Sequence, residues 1–379
     1  MTPQPAEVST RRVAYFISPH GFGHAARAAS VMAALQHLAP TVQYEIFTQV
    51  PRWFFEDSLS QPFGYHAVLS DIGLVQKTSL LADIPATLQR LQGFFPCDPA
   101  LVRTLAHTVR TLECALVLCD IAPLGIAVAQ QAGLPSVLVE NFTWDWIYAA
   151  YAQSYAQMDF YISYLQELFS TAEYRIQTEP VCVYHTANLV TQPVSRKPTA
   201  SPEPVRQHLG LPAEARVVMI TMGGIPMQYP FLQQLATQPD VAFIIPGASE
   251  SIQRYGNAVL LPHHTSLFHP NLVNACDAVI GKVGYSTLAE VYHAGLPFGY
   301  IARQDFRESS RLVAYIAQHM PGLAITPAQF DDGSWLSQLP QLLALPRLPR
   351  HAPNGADQAA RFIHQLLYGE LRSVRTARA

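Results

Sequence analysis

A chain of 379 residues, 49% hydrophobic and only 13% charged, is long enough for two domains with a core each. A net charge of -3, with no basic run and no aromatic-basic RNA motif, excludes general attraction to nucleic acid. Five cysteines without a C-x-x-C pair support neither a disulfide framework nor a zinc site, and fit a reducing, cytoplasmic setting.

The polar residues 1–10 lead through Arg11-Arg12 into a strand, so no secretory signal is expected. The longest apolar region, 115–139, is interrupted by Asp120, Pro123, Gln130, Gln131 and Pro135. It reads as strand, loop, helix and strand rather than a membrane span.

In chain order, residues 12–18 predict a strand, Pro19-His20-Gly21-Phe22-Gly23-His24 a loop, and 25–38 a helix with Val31, Ala34, Leu35 and Leu38 on its apolar face. A second strand follows at 43–48. Gly21-x-Gly23-x-x-Ala26 satisfies a loose dinucleotide fingerprint, but Glu45 sits in mid-strand and Gln49 occupies the tip where the acidic partner belongs. NAD is therefore not the expected ligand. His20 and His24, bracketing a glycine turn after a first strand, are candidates for acid-base work, with capping or packing at the helix start as the plainer reading of His24. Arg27 stands in the helix's first turn, where a cation opposes the dipole; this predicts that it serves a carboxylate or a ligand, unless it forms a surface ion pair.

A further strand at 115–119 ends in Asp120. Two strand tips in one sheet can meet, and an aspartate on one imidazole nitrogen would orient His24 and raise the basicity of the other; the alternative is that Asp120 caps the next helix. After the strand 136–139 comes the aromatic run Asn141-Phe142-Thr143-Trp144-Asp145-Trp146-Ile147-Tyr148, which lines an acceptor pocket or belongs to the core. The clusters 52–55 and 91–96 touch a lipid or a lipid-linked acceptor, or are buried core. The Pro/Ser/Thr-rich stretch 186–204 predicts a linker between two doubly wound domains, with boundaries at 1–195, 196–206 and 207–379. The second domain opens with a strand at 216–221 and the loop Met222-Gly223-Gly224-Ile225-Pro226, continues with strands at 241–245 and 258–261, and ends in a helix at 355–367 that is expected to pack back on the first domain. Arg372, Arg375 and Arg378 form a basic, frayed tail.

The most informative stretch is Asp277 to Pro297. An apolar strand at 278–280, a turn between Gly281 and Gly284, a helix stopped by Gly295 and a new strand at 298–302 make a βαβ unit whose helix N-terminus attracts anions through backbone N–H groups. The turn lacks the NTPase loop pattern, so a nucleotide diphosphate suits it better than a Mg²⁺ site. Thr287-x-x-Glu290 reads either as a capping box or as a glutamate reaching the ribose hydroxyls beside a bound diphosphate.

Together these residues resemble the GT-B glycosyltransferases, in particular UDP-glycosyltransferases and MurG-type N-acetylglucosaminyltransferases. The resemblance rests on G-x-x-G-x-x-T-x-x-E-x-x-x-x-G-x-P from Gly281 to Pro297 and on G-x-G-H in the first loop. H-G-F-G-H-A-A-R and N-F-T-W-D-W-I-Y also look like the glycosyltransferase-like amino-terminal region of plant L-arabinokinases. The resemblance implies an α/β, GT-B fold of two Rossmann-like domains facing across a cleft. It also implies an inverting, metal-independent transfer from a UDP-sugar or other nucleotide-sugar to a small-molecule or lipid-linked acceptor hydroxyl, with no cofactor. By position, His24 looks like the general base and Asp120 its partner. Glu290 matches the ribose ligand, Gly223, Gly224, Gly284, Ser286 and Thr287 match the diphosphate loops, and Lys282 adds a phosphate contact. Arg303-Gln304-Asp305 falls at the donor sugar, with the familiar D-Q pair reversed as Gln304-Asp305. His263, His264 or Phe268 stacks on the base. Around the acceptor, His20, Gly21, Gly23, Arg27, Asn141 and Trp144 are the candidates. A UDP-sugar epimerase or hydrolase of the same fold, or a non-catalytic nucleotide-sugar sensor, are the rival readings.

Overall fold

The structure is a computed structural model that describes residues 10–78, 80–223, 227–349 and 352–369. Gly224 and the arginines of the tail lie outside the described residues.

Among the described residues the strands form two seven-stranded sheets. The first holds β1 (Arg11–Ile17), β2 (Val42–Thr48), β3 (Gly64–Ala67), β4 (Cys114–Asp120), β5 (Ser136–Glu140), β6 (Tyr174–Thr178) and β7 (Leu189–Thr191) in the order β3-β2-β1-β4-β5-β6-β7. Every pairing in it is parallel. The second holds β8 (Arg216–Thr221), β9 (Val241–Pro246), β10 (Gln253–Tyr255), β11 (Ala258–Leu261), β12 (Ala278–Lys282), β13 (Phe298–Ile301) and β14 (Gly322–Ala324) in the order β10-β11-β9-β8-β12-β13-β14. Only β10 runs antiparallel to its neighbour. Helices cover both faces, which is why the central strands read as unbroken apolar runs: Val13 to Ile17 and Val217 to Ile220 are completely buried.

Both sheets reverse their strand order beside their first strand. The first sheet turns between β1 and β4, the second between β8 and β12. A crevice opens at the carboxyl ends of the strands at such a point, because the helices on either side of it leave in opposite directions. These two crevices share one cleft, lined by His20, Gly21 and His24 after β1 and by Gly223, Lys282 and Gly284 after β8 and β12.

The helix that follows β12 spans Tyr285–Ala294 and is stopped by Gly295 at φ 67°, the left-handed C-cap expected from sequence. The stretch 186–204 contains more structure than a linker implies. β7 closes the edge of the first sheet within it, and a helix starts at Pro202. The terminal helix Gly355–Leu367 packs Ala356, Ala359, Ala360 and Ile363 into the cluster built by the first helix, Phe22–Leu38. That docking depends on close approach, since a Cβ on Gly355 would lie 1.9 Å from the Gln192 carbonyl oxygen. Gly355→Ala is therefore expected to lower stability by about 1–3 kcal/mol, read as a lower Tm in thermal unfolding; an unchanged Tm would mean that the helix re-seats freely.

Candidate functional site: a cleft at two switch points

The first helix begins at Phe22, three residues earlier than its apolar pattern indicates, with Gly21 at φ 70° as its N-cap and no side-chain cap. His24 is thereby carried inside the first turn and turned toward the tip of β4. Its Nδ1 lies 3.0 Å from Asp120 Oδ1. Asp120 does not cap the following helix, whose N-cap is Ala122 without a side-chain bond. Arg27, one turn after His24, donates from Nε and Nη2 to the two Asp120 oxygens at 2.8 and 2.6 Å. Arg27 Nη2 also lies 3.3 Å from His24 Nδ1. The ionised Asp120 carboxylate can only accept, so His24 Nδ1–H donates to it and the free lone pair of the imidazole sits on Nε2.

Burial alone would oppose the charge on Asp120. The Arg27 charge and its hydrogen bonds, together with His24, nevertheless hold the carboxyl below the usual carboxylate range. Arg27 is itself only 1% exposed; burial would disfavour its charge, but Asp120 raises its pKa further. It also donates to Asn141 Oδ1 at 2.6 Å and lies over the Tyr285 ring at 4.9 Å. Asn141 in turn donates to Glu308 Oε1 at 2.9 Å, so one chain of polar contacts runs from the His24–Asp120 pair across to the helix Arg307–His319 of the second sheet.

The larger arm of the cleft is lined by Phe22, Trp53, Arg196, His263, Phe268 and Glu290, and the two arms meet at Gly23, Gly223, Ser286 and Thr287. Glu290 is not part of a capping box. The helix starts two residues before Thr287, with Gly284 as N-cap and no side-chain cap bond, which leaves the glutamate free of the helix end. Its Oε1 accepts from Arg196 Nε at 3.2 Å and its Oε2 from His269 Nδ1 at 2.8 Å. Burial would raise the Glu290 pKa, but the charges of Arg196 and His269 bring it below the usual range. Arg196 is clamped between Phe54 and Phe268, 4.8 and 5.1 Å from their ring centroids.

The other arm is bordered by His20, Gly21, His24, Lys282, Arg303 and Glu308. Burial pushes Lys282 down to about 7, assisted by the Arg303 charge. Burial likewise holds His20 well below its ordinary value, with His24, Arg303 and Lys282 contributing.

Several expected site residues stand elsewhere. Gln304 and Asp305 are exposed and line neither arm, because the loop after β13 turns Arg303 and Phe306 inward and the Asp305 carbonyl is taken by the Tyr151 hydroxyl. Trp144 is fully buried behind the histidines. Its ring meets His20 edge-on at 5.2 Å while its indole N–H bonds Asp71, so it supports the loop without touching the cleft. Asn141, also fully buried, bridges Arg27 and Glu308 rather than lining a pocket. Of the base-stacking candidates, His263 and Phe268 line the larger arm, whereas His264 stacks on Trp53 at 4.2 Å and lines neither arm. Of the aromatic cluster 52–55, Phe55 is core, while Trp53 and Phe54 border the larger arm. Sequence reading did not single out Arg196, His269, Phe306 or Glu308. Arg196 looked like linker, and nothing local marks a residue whose partner lies 94 positions away.

Comparison with known proteins accords with this geometry. A model described as glycosyl transferase family 1 matches residues 11–319. The L-arabinokinase of Arabidopsis thaliana is 27% identical over 361 residues, which is 94% of this chain but 34% of that protein, so the chain spans about a third of its relative's length. Among solved structures, the spinosyn forosaminyltransferase SpnP superposes with a TM-score of 0.60 at 16% identity over 96% of both chains. A UDP-glucosyltransferase from Polygonum tinctorium gives 0.59 at 13% over 96% of this chain and 94% of that one. MurG from Acinetobacter baumannii gives 0.52 at 14%, over 95% and 99%. The fold is thus GT-B, two doubly wound sheets facing across a cleft, and among the described residues no helix is long and apolar enough to cross a membrane. With a family model matching residues 11–319, this chain belongs to glycosyl transferase family 1.

Proposed function

We propose that the protein performs an inverting, metal-independent transfer of a sugar from a UDP-sugar to an acceptor hydroxyl. The observation that carries this reading is the meeting of the His24–Asp120 pair with the N-terminus of the helix Tyr285–Ala294 in one cleft. The base would lie against His263 or Phe268 and the ribose hydroxyls against Glu290. The diphosphate would face Gly223, Gly284, Ser286, Thr287 and Lys282. His24 Nε2 takes the proton of an acceptor hydroxyl entering past His20 and Gly21. The acceptor oxygen bonds to the anomeric carbon as the bond from that carbon to the β-phosphate oxygen breaks, and UDP leaves with the electron pair. Asp120 stabilises the imidazolium, while the helix terminus, loop amides and Lys282 stabilise the departing charge.

Calorimetric titration of UDP tests the donor half of this reading. Glu290→Gln, which keeps the shape and removes the charge, is expected to weaken UDP about 10- to 100-fold. Absence of UDP binding to the wild type would sink the proposal. Binding also carries a pH signature. Burial holds Lys282 near 7, and a bound diphosphate favours its charged form. UDP affinity should therefore fall as pH rises from about 6 to about 9, whereas Lys282→Met should remove most of that slope.

A further inference from the structure

We infer that the transferred sugar carries a carboxylate, bound by the guanidinium of Arg303, so that the donor is a UDP-hexuronate rather than a UDP-hexose. This inference rests on the donor reading above. Arg303 follows β13, on the donor side of the cleft, and turns into the smaller arm beyond Lys282. Its side chain is 10% exposed. Among the described residues none of its guanidinium N–H groups donates a hydrogen bond, and its Nε is buried without a partner. The neighbouring carboxylate, Glu308, stands 3.8 Å away, beyond hydrogen-bonding distance, and its other oxygen is already taken by Asn141. The Arg303 Cζ lies over the Phe306 ring, 3.6 Å from its centroid, and this cation–π contact holds the guanidinium at the border of the arm.

Lys282, 8% exposed, faces the same space and has neither a hydrogen bond nor an ion pair among the described residues, whereas Arg303 keeps its long ion pair to Glu308. Two buried cations with one shared, imperfectly placed counter-charge leave the arm electropositive. Lys282 and the helix N-terminus are adjacent to the place of the diphosphate, which accounts for one of the two cations. Arg303 remains. A neutral hexose offers hydroxyls that can accept its hydrogen bonds but cannot balance its charge. A sugar carboxylate does both, in the two-point geometry that guanidinium prefers.

The test is titration of UDP, UDP-glucose, UDP-galactose, UDP-glucuronate and UDP-galacturonate into the wild type and Arg303→Gln. One of the uronates is expected to bind at least about tenfold more tightly than its neutral counterpart, and Arg303→Gln should abolish that preference, read as the ratio of acid to neutral sugar affinity within each variant. If UDP binds but acid and neutral sugars bind alike, the carboxylate inference is overturned and Arg303 serves the acceptor or the fold. A preference that survives Arg303→Gln overturns the assignment to this residue. If UDP itself fails to bind, the donor reading falls and this one with it. The wild-type comparison needs no variant, so a misfolded Arg303→Gln leaves the inference decidable.

Discussion

Replacing His24 with alanine is expected to lower turnover by roughly a hundred- to ten-thousand-fold while leaving the Kd for UDP near its wild-type value. The side chain lines only the arm of the cleft away from Glu290 and His263, so its removal deletes no contact on the nucleotide side. Its loss removes the group that takes the acceptor proton. Turnover is read as UDP release from a UDP-sugar, with and without acceptor. Asp120→Asn should resemble it in direction, since an amide can hold the ring but cannot balance the imidazolium charge. Unchanged release of UDP in His24→Ala would remove this residue from the mechanism, and a parallel loss of UDP affinity would recast it as a binding group.

How far the sequence could be read depended on how local the determinants were. The βαβ unit around Gly281 to Pro297 was legible because its strand, glycine turn and glycine stop are set by neighbours in sequence, and the residues of β8 and β11 matched their apolar runs. The approach of His24 to Asp120 was legible for a different reason: both sit at the carboxyl ends of strands that flank a switch point, and parallel register brings such ends together. Helix starts were less legible. Gly21 and Gly284 begin their helices before the apolar periodicity does, which put His24 inside the first turn and emptied the expected capping box at Thr287. Contacts between the two sheets were not legible. Arg196 meets Glu290, and Asn141 meets Glu308, only because the halves close on each other. The reversed pair Gln304-Asp305 lies in a loop whose inward residues, Arg303 and Phe306, flank it, and local sequence does not say which side of a turn faces the cleft.

Arg27→Met should be the most damaging single change for stability and is expected to abolish turnover as well. The substitution keeps a long apolar stem but leaves Asp120, which is 0% exposed, with His24 as its remaining hydrogen-bond partner. Removing one member of a buried ion pair costs about 3–5 kcal/mol, because the other charge stays desolvated. The pH dependence follows with a definite sign. In the wild type Asp120 titrates below its unfolded range. Its contribution to stability is thus complete above that range and is lost as pH falls through the lower folded value. Without Arg27 the folded value rises, so the acid limb of the Tm–pH curve should move to higher pH. The double variant Arg27→Met, Asp120→Asn discharges the stranded carboxylate and should recover part of the lost stability without recovering turnover. Equal Tm values for wild type and Arg27→Met would show that the pair does not hold the site together. Full recovery of turnover in the double variant would show that neither charge is needed for transfer.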